Sequence, residues 1–150
     1  RFIDEIDTRL DYALMNADER EDYHTKWMRT VVAGWQQDDN RVRFESRLDE
    51  LTATMDAASL PYAFILFPEL NALRSPGDFG APRLLVRGLL ERRGLDYCDP
   101  YDVFAGRDDL DALFLQRDSI HFSPKGHRVL CDALAQCAAD GRLTAITRER

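Results

Sequence analysis

The sequence predicts an α/β fold, helix-rich and built on a parallel sheet. Two observations carry that prediction. Residues 62–67 (YAFILF) form an unbroken apolar run bounded by Pro61 and Pro68, the pattern of a strand buried on both faces. Around it, apolar residues recur at helical spacing, giving the order helices, strand, helix, strand, helix. A helix between two buried strands is the crossover that parallel pairing requires. With 150 residues, 45% of them hydrophobic, the chain reads as one domain. Residues 1–60 are its helical region, and residues 61–140 its strand-helix-strand-helix region.

The elements follow in order. Phe2, Ile3, Ile6, Leu10 and Leu14 lie on one face of a first helix. Asp18 is the expected cap of the next, with Glu19, Glu21 and Asp22 near its positive end. Tyr23, Trp27, Val31 and Trp35 then form an aromatic stripe at intervals of four. The stripe reads first as a packed helix face, second as part of an acyl pocket or lid. Asn40 is the expected cap of a third helix carrying Phe44, Leu48, Leu51 and Met55, which ends near Leu60 because Pro61 disfavours helical geometry before it.

After the apolar run, Asn71, Arg74, Ser75, Pro76, Gly77, Asp78 and Gly80 read as a surface loop. Leu84, Leu85, Leu89 and Leu90 mark a helix that stops at Gly94, and residues 95–98 (LDYC) a second strand. A short helix is expected over 108–115. Ser123 as cap and Pro124 in the first turn open a last helix, buried at Val129, Leu130, Ala133, Leu134 and Cys137 and stopped by Gly141. Residues 142–150 carry weak signals.

Charge excludes some functions. Acidic residues outnumber basic ones 27 to 20, a net charge of −7, which argues against nucleic-acid binding and against docking on an anionic membrane. No run reaches the roughly 18 apolar residues of a membrane span. Cys98, Cys131 and Cys137 lack CxxC spacing, so three buried thiols are expected rather than a disulfide framework or zinc ribbon. His24, among charges on a helix, is expected in solvent. Asp108, Asp109 and Asp111 fit a solvated helix start better than a calcium loop. The chain opens on Arg1 rather than Met, and two strands make a meagre sheet, so it is expected to be part of a longer protein.

The densest chemistry lies in residues 117–130, RDSIHFSPKGHRVL. Asp118 and His121 are three apart before a marked helix start. A carboxylate there can accept the imidazole Nδ1–H, fix the tautomer and leave Nε2 as a base. The same spacing also suits a surface pair that merely fixes a turn. A metal set of Asp118, His121 and His127 is the other possibility, but His127 falls inside the helix and no metal is expected. Pro68, Glu69 and Asn71 follow the first strand, where open α/β sheets bind ligands. With Phe122 they are the expected substrate contacts, although a plain surface turn fits the first three equally.

The pattern D-x-x-H-x-S-x-x-G-H, carried by Asp118, His121, Ser123, Gly126 and His127, resembles the C-terminal block of the SGNH (GDSL-type) hydrolases. The order of strand, helix, strand and D-x-x-H loop over about residues 60–138 is also similar to that family. The resemblance implies a three-layer α/β/α (flavodoxin-like) sandwich, with only the last strands of its parallel sheet in this chain. It implies Asp118 as orienting carboxylate, His121 as general base, His127 as a packing residue of the last helix, and no cofactor. The implied substrate is a small ester or acylated sugar. The five serines, Ser46, Ser59, Ser75, Ser119 and Ser123, include none in G-D-S, and neither Asn40 nor Asn71 lies in G-x-N-D. The nucleophile and oxyanion donors are therefore expected in a partner segment before Arg1. The alternatives are a non-catalytic helical interaction module that docks through Tyr23, Trp27 and Trp35, an SGNH-type O-acyltransferase, and a metal-dependent hydrolase.

Overall fold

In the computed structural model, which describes residues 17–116 and 118–147, two apolar segments pair as parallel strands, β1 (Phe64–Ile65) and β2 (Tyr97–Cys98). The register sets Phe64 beside Tyr97 and Ile65 beside Cys98. Helices dominate the rest: α1 (Ala17–Trp35), α2 (Asp38–Ala57), α3 (Leu70–Arg74), α4 (Pro76–Phe79), α5 (Ala81–Arg92), α6 (Tyr101–Ala105), α7 (Pro124–Ala139) and α8 (Thr144–Thr147), with a 3₁₀ turn at Leu110–Leu113. The coarse α/β class therefore holds. Among the described residues no helix is long and apolar enough to cross a membrane.

Strand alternation decides what covers the pair. Phe64, Leu66 and Tyr97 pack with Leu48 of α2 and with Leu89 and Leu90 of α5. On the opposite face Ala63 and Cys98 meet Cys137 and Ala138 of α7. A third cluster, Leu70, Leu73, Phe104, Leu113, Phe114, Phe122, Val129 and Leu130, fills the space between α3, α6 and α7.

Several expectations need correction. Cys98 and Cys137 are not thiols but a disulfide between β2 and α7, and Cys131 is exposed. Their separation of 39 residues corresponds to about 4 kcal/mol in the chain-entropy account. The run at 62–67 is not buried on both faces, since Ile65 is 37% and Phe67 61% exposed. Residues 70–79 are not a loop but the helices α3 and α4, because Glu69 caps one and Pro76 opens the other. Residues 101–105 form an unexpected helix, and the turn near 108–115 is 3₁₀.

On α1 the packed face is one residue along from the aromatic stripe. His24 and Met28 are buried, while Tyr23 is 37% and Trp27 43% exposed. His24 is therefore not in solvent. Asp18 lies inside α1 rather than capping it. Gln37, not Asn40, occupies the cap position of α2, and the Asn40 amide donates to the Gly34 carbonyl at 3.0 Å. Helix α2 stops at Ala57, where Ser59 turns left-handed (φ 52°), rather than near Leu60. The first expected helix, over residues 2–14, lies outside the described residues.

Other signals hold. Gly94 and Gly141 have φ of 63° and 71° just past α5 and α7, as helix stops should. Ser123 accepts from the Gly126 N–H at 3.2 Å, with Pro124 in the first turn. Val129, Leu130, Ala133 and Cys137 are the buried side of α7.

Candidate active site

The loop bearing Asp118 and His121 is closed at its base by backbone pairing. Phe114 and Phe122 form an antiparallel bridge. The Leu115 N–H donates to the His121 carbonyl and the Ser123 N–H to the Leu113 carbonyl, both at 2.9 Å. Below this bridge Phe114 and Phe122 stand against Phe104, which is wholly buried. The following helix is fixed by Ser123, whose hydroxyl also donates to the Ala112 carbonyl at 2.6 Å. Gly126 lets α7 approach closely, because a Cβ there would overlap the Leu113 carbonyl.

Asp118 organises the tip. Its Oδ1 accepts the N–H of Ile120 at 2.9 Å and of His121 at 3.0 Å. Its Oδ2 lies 2.7 Å from His121 Nδ1. With the carboxylate accepting, Nδ1 carries hydrogen and Nε2 is left as the basic nitrogen. The His121 side chain is 70% exposed and that of Asp118 only 20%. Burial works against ionisation of Asp118. The N–H groups of His121 and Ile120, with the His121 ring, outweigh it and hold the carboxyl below its ordinary value. The arrangement presents an oriented imidazole with its basic nitrogen outward.

The expected substrate residues are not gathered into one place. Pro68 and Glu69 line an apolar groove of about 380 Å³ beside β1. Asn71 lines a separate cavity of about 230 Å³ that also reaches Asp118 and Ser119. The ring of Phe122 is 6% exposed and belongs to the core below the loop. His127 touches the Phe122 ring edge-on at 5.8 Å. Asp118, His121 and His127 are not assembled as a metal set, and no group of three such ligands occurs among the described residues.

Two features escaped the sequence. Ser119 is buried, and its carbonyl accepts the Leu70 N–H at 2.9 Å, tying the loop to the start of α3. Glu69 caps α3 by accepting from the Ala72 N–H at 2.9 Å. An acceptor side chain three residues before that N–H was a legible cap signal, masked by the turn-forming residues after it. Ser123 is committed to helix capping, and Ser119 is shut within the loop. No protein-family model, curated protein or solved structure matches the chain.

Proposed function

We propose that the chain is the C-terminal part of an SGNH-type serine esterase, in which a segment preceding Arg1 supplies the serine. The observation that carries this is the 2.7 Å contact of Asp118 Oδ2 with His121 Nδ1 on a ring otherwise exposed. In the complete enzyme Nε2 of His121 takes the serine proton as the oxygen attacks an ester carbonyl. It then returns the proton to the departing alcohol. Asp118 stays ionised and holds the ring. A second acyl transfer, to water or to a sugar hydroxyl, completes either hydrolysis of a small ester or O-acyl transfer. The finer architecture proposed with it is a three-layer α/β/α sandwich whose last strands are β1 and β2.

The test is hydrolysis of p-nitrophenyl acetate by the protein extended upstream through its own reading frame. His121→Ala and Asp118→Asn should each lower kcat by about 10⁴-fold. Full activity in His121→Ala would overturn the reading, and so would turnover by the 150-residue chain alone. Exposed Tyr23 and Trp27 favour a second reading, a helical docking module, in which both variants leave partner binding unchanged.

A further inference from the structure

The strands β1 and β2 are two residues long each, and Cys98 carries two of the ties that hold them. Its carbonyl accepts the Leu66 N–H at 3.0 Å, and its sulfur is bonded to that of Cys137 on α7. The two Cα atoms are 5.8 Å apart, the ordinary spacing of a bridge. Cys98 is 0% and Cys137 6% exposed, packed with Ala63, Leu134 and Leu143. Cys131, also on α7, is exposed and free. Burial therefore selects which two of the three cysteines pair.

The bridge lies among the contacts that hold residues 142–145. The Arg142 N–H donates to the Cys137 carbonyl at 2.9 Å, and Leu143 is buried in the cluster of both cysteines. Asp96, two residues before Cys98, accepts the Thr144 hydroxyl at 2.9 Å and the Ala145 N–H at 2.6 Å. The other end of α7 is held separately, by Gly126 against the Leu113 carbonyl and by Val129 and Leu130 in the phenylalanine cluster. About 20 Å of helix separates Ser123 from Cys137.

Sulfurs shut in this way meet an oxidant only while the fold is open. In a compartment poised by reduced glutathione and thioredoxin, the open chain is kept as thiols. We infer that this chain matures in an oxidising compartment, where joining Cys98 to Cys137 is a step of folding that locks the end of α7 and residues 142–145 to β2. One cysteine thiolate attacks the disulfide of an oxidant, a thiol oxidoreductase or a small-molecule disulfide, and expels one of its sulfurs. The second thiolate then displaces the other sulfur from the mixed disulfide. The cysteines lose two protons and two electrons, and the oxidant leaves as two thiols. This oxidation is independent of the esterase reading.

Thiol counting tests it on the protein isolated from its own cells and quenched in acid at lysis. Unfolded without reductant, the chain should take one maleimide, on Cys131, and three after reduction. Three adducts before reduction overturn the inference, and so does a single adduct on Cys98 or Cys137. Dithiothreitol should cleave the bond about a hundredfold more slowly in the folded protein than in urea. Equal rates would mean that the sulfurs are open to reagents after folding. Cys98→Ala with Cys137→Ala should lower the thermal midpoint by about 10 °C. In that variant the Arg142 and Ala145 amides should exchange about tenfold faster, while those of Ile120 and His121 keep their rates. Loss of the fold altogether would be a larger effect of the same sign. An unchanged midpoint, or loosening confined to His121, removes the lock.

Discussion

Phe67 and Phe122 stack on one another with ring centroids 6.0 Å apart, yet one is 61% exposed and the other 6%. The two rings mark a boundary. On the Phe122 side, backbone bridges, a capped helix and a phenylalanine cluster hold the loop of Asp118 and His121. On the Phe67 side, β1 has β2 as its one strand neighbour among the described residues. The loop is specified mostly by contacts close in sequence, within residues 104–130, with the Leu70 N–H on the Ser119 carbonyl as a tie from farther off. The difference teaches that an aspartate–histidine pair can be fully oriented by its own loop beside a strand edge that takes no part in holding it.

Truncations on the two sides should separate most. Phe104 is 0% exposed and touches both Phe114 and Phe122. Phe104→Ala should cost about 4 kcal/mol in urea unfolding, from lost burial and the cavity left behind. Phe67→Ala in the same chain should cost about 0.5 kcal/mol or less. Equal losses would mean that the β1 edge is already covered in solution. A smaller effect comes from Gly126→Ala. The added methyl must push α7 off the Leu113 carbonyl, which also accepts the Ser123 N–H. Such overpacking should cost about 2 kcal/mol and shift the NMR signals of the His121 ring. Unchanged stability would show that α7 docks differently.

The same boundary explains what could be read from the sequence. Asp118, His121, Ser123 and Pro124 were legible because a cap, a first-turn proline and a three-residue spacing act locally. The helix stops at Gly94 and Gly141 were legible for the same reason. Residues 70–79 were misread because Pro76, Gly77 and Gly80 suggest a loop, while burial of Leu70, Leu73 and Phe79 selects helix. The packed face of α1 lies one residue along from the aromatic stripe, because Met28 and Val32 rather than the larger rings meet Ala72 and Phe79. The pairing of Cys98 with Cys137 joins residues distant in sequence, and three cysteines alone do not indicate which two pair.

The smallest effect concerns acid, and it bears on the loop side alone. The Asp118 carboxyl is held below the 3.8 of an ordinary aspartate, although burial opposes this. The folded chain therefore takes up this proton at lower pH than the unfolded chain does. Its contribution to stability is fully present above about pH 4, the value for an unfolded aspartate, and is lost only as pH falls through the folded value. Carboxyl carbon NMR of Asp118 should show a midpoint below 3.8. The Ile120 and His121 amide signals should move with the same midpoint, because both N–H groups donate to Oδ1. In Asp118→Asn the acid limb of unfolding should lose this component, while the fold persists at neutral pH. A midpoint above 4, or amide signals that ignore the titration, would mean that Asp118 does not hold the loop. His121 would then have lost the group that orients it.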